Sequence, residues 1–230
     1  MKALLNKEFK LCLHPTVFIY LALILMLLIP NYPYLVSCFF VCNAIFFIFQ
    51  TARENGDALY SAMLPVSKAQ TVKARCLFVI LIQAIDLVLM AGMCVFSLIA
   101  MPHTNAGGTD HGLTLLAFAL VLFAIFNVIF LPSFYKSGYK AGSAFLKGAI
   151  GVWIWIVLAE GLMIASPASA FSANVPFFRF IAVNLDCFPK TATAWTAQAI
   201  AFGAGLLIYA ACTAIAVKRS VKHYEQVSVQ

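Results

Sequence analysis

The sequence predicts an all-α integral membrane protein of about six transmembrane helices, with both ends on the cytoplasmic side. Three observations predict it. Of 230 residues, 63% are hydrophobic and only 10% are charged, against roughly 25% charged in a soluble domain. The apolar residues fall in runs long enough to cross a bilayer, each needing about 20 residues. The basic residues cluster in the short gaps between alternate runs. The length suits one membrane domain covering residues 1–230.

Residues 13–50 form a single apolar run. As one helix it would extend about 57 Å, far beyond a hydrocarbon core of roughly 30 Å. It must therefore fold back, and Pro30-Asn31-Tyr32-Pro33 is its strong breaker. The run reads as span one at about 13–30 and span two at about 33–52. Pro15 sits in the first turn of span one, where a missing N–H costs little. Four further spans are expected at about 76–101, 113–133, 146–166 and 194–217. Residues 167–193 are still apolar and read as an outer segment that dips into the interface.

Thirteen Lys and Arg residues fall on one side of this arrangement, and only Arg179 and Lys190 on the other. This is the positive-inside pattern. It also explains the net charge of +7 without nucleic acid. Residues 1–30 resemble a signal peptide, but no small-residue cleavage site follows and the chain stays apolar. The box at Leu35-Val36-Ser37-Cys38 is followed by Phe39-Phe40-Val41, not by the polar tether of a lipoprotein.

Residues 2–12 put Leu4, Leu5, Phe9 and Cys12 near one face and Lys2, Lys7 and Lys10 mostly opposite. An interfacial helix is expected there; a frayed basic terminus is the plainer alternative.

The segment 53–75 is the most informative. Gly56 should end the extension of span two, and Asp57 can cap a new short helix. Leu59, Tyr60, Met63 and Leu64 recur at helical spacing and make an apolar stripe. Pro65 stops that helix. Ser67 and Gln70 form a capping box that starts the next one. A two-turn helix is marginal alone in water, so it needs a surface. Lipid headgroups, its own bundle or a groove on a soluble partner would each serve.

Glu54-Asn55-Gly56-Asp57, Leu59-Tyr60, Met63-Leu64-Pro65-Val66-Ser67-Lys68 and Val72-Lys73-Ala74-Arg75 together resemble the coupling segment of type 2 ABC transporter permeases. They are most similar to the small six-span permeases of bacterial exporters. The Pro30–Pro33 turn and the amphipathic leader resemble that group too. The resemblance implies that Asp57, Leu59, Tyr60, Met63, Leu64, Pro65 and Ser67 contact an ABC-type ATP-binding subunit. It implies that the partner binds ATP and magnesium, this chain holding no cofactor. A second permease chain, identical or related, would complete the pathway in the bacterial cytoplasmic membrane. Residues 171–190 would form outer re-entrant helices, and the cargo would be a peptide or amphiphile driven outward.

The chain contains no Gly-x-x-x-x-Gly-Lys-(Ser/Thr) loop, so it is not expected to be an enzyme. Two acids fall within spans: Asp86, with Gln83 a turn earlier, and Glu160. A charge at mid-bilayer costs about 3 kcal/mol or more unless neutralised, hydrated or paired. Gln83, Asp86 and Glu160 therefore either line a substrate pathway or serve as polar glue with neighbours such as Asn43 and Asn127. An ion-coupled secondary transporter using Asp86 and Glu160 is the competing function. An intramembrane enzyme is disfavoured because His14, His103, His111 and His223 lie at or beyond span ends. His103, Asp110 and His111 share an outer loop but match no zinc spacing, so a solvated loop is expected there and no metal site. Ala197, Ala201 and Gly205 form a small-residue face suited to close helix packing.

Overall fold

The computed structural model describes residues 2–11, 13, 15–63, 65–100, 109–138, 140–168, 176, 180–181, 184–185 and 191–226. Among these the chain is helical and has no strand. Helix α1 is Lys2–Leu11 and α2 is Thr16–Ala22, which runs into a 3-10 helix at Leu23–Leu28. Then come α3 (Leu35–Glu54), α4 (Asp57–Met63), α5 (Lys68–Ala100), α6 (Leu113–Lys136), α7 (Ala141–Ala168) and α8 (Ala192–Gln226). Helices α3, α5, α6, α7 and α8 are each long and apolar enough to cross a membrane. Residues Thr16–Leu28 form a sixth, shorter apolar piece.

The first span is thus a composite rather than one α-helix. Asn31 takes a left-handed φ of 58° in the turn that follows, which a short polar side chain tolerates. The chain then re-enters the bundle as α3. Helix α5 begins at Lys68, at the capping box and ahead of the expected membrane-crossing part at 76, and α8 continues to Gln226, past 217.

The core forms around α6, the most buried of the spans; α8 is the least. Phe126 stacks on Phe130 at 4.8 Å, and Phe49 of α3 packs edge-on against Phe130 and Phe134 at 5.0 and 4.7 Å. Helix α8 packs most extensively on α6. Gly205 makes that approach possible: a Cβ there would sit 3.0 Å from the Ala117 carbonyl oxygen. Ala197 and Ala201 are half-buried.

One end of the bundle collects α1, α4, the starts of α5 and α7, and the ends of α3, α6 and α8. Lys7, Lys10, Arg53, Lys68, Lys73, Arg75, Lys136, Lys140, Lys147, Lys218, Arg219 and Lys222 all lie on elements reaching that end. We call it the basic end.

Gly56, with φ 63°, turns α3 into α4, its N–H donating to the Arg53 carbonyl at 3.1 Å. Helix α4 stops at Met63, two residues before Pro65. The capping box forms in both directions: the Gln70 N–H donates to Ser67 Oγ at 3.2 Å, and the Ser67 N–H to Gln70 Oε1 at 3.1 Å. Ser67→Ala is expected to cost about 1 kcal/mol. Faster amide exchange confined to the first turn of α5 is the measurement that checks it.

Candidate functional site

Helix α4 connects two spans, so whatever fixes it fixes the basic end of α3 and α5. It is held by a cluster of four charges drawn from three helices. Lys7 of α1 reaches Asp57 Oδ1 at 2.7 Å and Glu8 Oε1 at 3.2 Å. Its Nζ also donates to Ser61 Oγ of α4 at 2.8 Å. Arg75 of α5 donates from Nη2 to Asp57 Oδ2 at 2.6 Å, and from Nε to Glu8 Oε2. All four side chains are buried. Buried charges persist only when paired and hydrogen-bonded, and each carboxylate here meets both cations.

This overturns two expectations. Asp57 was expected to cap α4; instead its carboxylate turns inward to the two cations. The leader was expected to bury an apolar stripe and present its lysines. Leu4 of that stripe is buried, but Lys7 and Glu8, three and four residues on, are buried with it. Phe9 is half-exposed and meets Phe78 of α5 edge-on at 4.7 Å. The partners lie roughly 50 to 70 residues away in sequence, so α1 read by itself could not reveal them.

The cluster continues into the bundle. The Arg75 guanidinium lies over the Phe49 ring at 5.5 Å, a cation–π geometry. Phe49 in turn packs on Phe130 and Phe134. Contact therefore runs unbroken from α1 and α4 to the aromatic centre of α6.

Tyr60 is 49% and Met63 82% exposed. Pro65 and Ser67 are also exposed. Leu59 belongs to α4, and Leu64 lies outside the described residues.

The other predicted residues do not share one site. Gln83 belongs to a polar network across α5, α6 and α8. It exchanges hydrogen bonds with the Asn127 amide at 2.9 and 3.0 Å and accepts from the Tyr209 hydroxyl at 2.8 Å, while Asn127 also donates to Thr213 at 3.2 Å. Asp86 of α5 is buried. Its carboxylate oxygens have no hydrogen-bond partner among the described residues. Asn127 is thus a neighbour of Gln83, not of the acids.

Glu160 sits at the opposite end. It accepts the Leu35 N–H at 2.9 Å and the Thr109 N–H at 2.6 Å. A carboxylate from α7 thereby caps the start of α3, where free N–H groups and the helix dipole favour negative charge. His111, expected in a solvated loop, is buried. Its ring meets Tyr34 at 4.4 Å and bonds to the Leu27 carbonyl at 3.0 Å, so it fastens the end of the first span. Among the described residues no metal-binding cluster occurs. His103, Leu64 and most of the outer segment 167–193 lie outside the described residues.

These features define an all-α membrane protein whose basic end carries a short helix clamped between its leader and third span. The chain belongs to the ABC-2 type transporter permeases: the family model described as ABC-2 family transporter protein matches residues 3–225. It is therefore a membrane subunit of an ABC transporter. No curated protein and no solved structure matches it significantly.

Proposed function

We propose that this chain is the permease subunit of an ATP-driven exporter, worked by a separate ABC-type ATP-binding subunit that grips α4. The observation that carries the proposal is the two-sidedness of α4. A seven-residue helix does not hold itself in water. Asp57 and Ser61 fasten one side of it to α1 and α5, while Tyr60 and Met63 stand out from the other. Exposed apolar side chains on a fixed, short element suit a partner's groove. With α4 joined to α3 by a two-residue turn and to α5 by a capping box, a pull on it moves two spans.

In this reading the basic end is cytoplasmic, as the positive-inside pattern favours. The membrane is the bacterial cytoplasmic membrane, and two permease chains, alike or different, enclose the pathway. The cargo is a peptide or amphiphile, moved outward. ATP and magnesium belong to the partner. The ion-coupled alternative draws less support, because Glu160 is already engaged by the backbone N–H groups of Leu35, at α3's start, and of Thr109.

The test joins Tyr60→Asp to Met63→Asp and measures how the full chain associates with an ABC-type ATP-binding subunit that co-purifies with the wild type. Association should weaken at least about tenfold, the scale of losing a hot-spot contact, while membrane insertion stays intact. Undiminished association together with undiminished ATP-dependent transport would overturn the proposal.

A further inference from the structure

A groove of about 640 Å³ runs between α5 and α8 toward the basic end, lined by Ile80, Tyr209, Ala214 and Val217 among others, with Lys73 and Lys218 on its rim. We infer that it binds an anionic phospholipid of the leaflet on that side, the lysines holding the phosphate and the wall holding an acyl chain. The inference does not depend on the direction of transport or on the cargo.

The polar atoms along the wall are turned away from the groove. Tyr209 donates its hydroxyl inward to Gln83, and Thr213 accepts from Asn127. What remains facing the groove is almost wholly apolar, so an occupant must be greasy along its length. A lipid tail meets that condition, whereas a free phosphate uses none of the wall.

The rim supplies the opposite chemistry. Lys73 is in the second turn of α5, and Lys218 lies two turns before the end of α8. Both are exposed, and neither forms an ion pair with an acid among the described residues. The nearest acid further along the same face of α8 is Glu225, about 10 Å along the axis. Two unneutralised ammonium groups from different helices, at the mouth of an apolar cleft near the headgroup level, match an anionic headgroup. Lysine stems reach such a level easily, with the charge in water and the methylenes on the apolar wall.

The experiment uses the detergent-purified full-length chain and native mass spectrometry, with phosphatidylglycerol as the anionic probe and phosphatidylethanolamine as the zwitterionic one. Phosphatidylglycerol should remain bound to the wild type in preference to phosphatidylethanolamine. Lys73→Gln with Lys218→Gln should weaken its retention roughly thirtyfold, the combined attraction of two lysines. Ala214→Trp should reduce it with both lysines in place, because the indole fills the wall. Lys136→Gln with Lys140→Gln, flanking the α6–α7 turn at the basic end, should leave it unchanged. Equal retention of both lipids would overturn the inference. So would indifference to the Lys73 and Lys218 changes, or full displacement by millimolar inorganic phosphate. A dimer that keeps lipid out of the groove would overturn it by assigning the groove to a second copy of the chain.

Discussion

Replacing Arg75 with methionine is expected to destabilise the basic end by about 3–5 kcal/mol, the usual cost of removing one partner from a buried ion cluster. Arg75 is the side chain that links Glu8 of α1 to Asp57 of α4. Methionine fills much of its volume, so the loss is of charge and hydrogen bonds rather than packing. Two buried carboxylates would then share Lys7 alone. Helices α1 and α4 should detach together, visible as faster amide exchange and protease cutting across residues 2–11 and 57–63 while α6 stays protected. Adding Glu8→Gln should recover part of the loss, since it restores one cation to one anion; a double-mutant cycle reads that coupling directly. If Arg75→Met unfolds within about 0.5 kcal/mol of wild type, the range of ordinary surface changes, the clamp does not exist as described.

The second large effect has the opposite sign. Asp86→Leu is expected to stabilise the bundle by about 3 kcal/mol, the usual penalty for an acid deep in a membrane helix. Both Asp86 oxygens are buried without a hydrogen-bond partner among the described residues. A carboxyl group so placed is costly in either protonation state, whereas leucine suits the adjoining apolar core. Thermal unfolding of the purified chain measures this. A substitution that raises stability yet lowers transport would show that the acid is kept for function at the expense of the fold. If both Asp86→Leu and Asp86→Asn lower stability, the acid makes contacts in the folded protein that this account lacks.

The punctuation of the chain was legible because it is local chemistry. Pro30 to Pro33, Gly56, Pro65 and the Ser67–Gln70 box each act within four residues, and each breaks or starts a helix where the sequence placed it. What escaped depends on partners distant in sequence. Lys7 and Glu8 look like ordinary solvated residues of a basic leader until Asp57 and Arg75 are brought beside them. His111 reads as a loop residue until Leu27 and Tyr34 close over it. Gln83 and Asp86, one turn apart, suggest a shared site, yet Gln83 hydrogen-bonds into α6 and α8 while the Asp86 oxygens take no hydrogen bond among the described residues. The switch from α to 3-10 geometry at Leu23 carries no local signal either, since Leu23–Leu28 is an unbroken apolar run in which neither geometry is favoured.

The clamp that ties the leader to α4 contains two cations and two anions, so Lys7, Glu8, Asp57 and Arg75 sum to electroneutrality. A uniform electric field exerts no net force on such a group, and burial leaves it only weakly screened by dissolved ions. Changes in ionic strength therefore act on the exposed lysines of α8 more than on the joint.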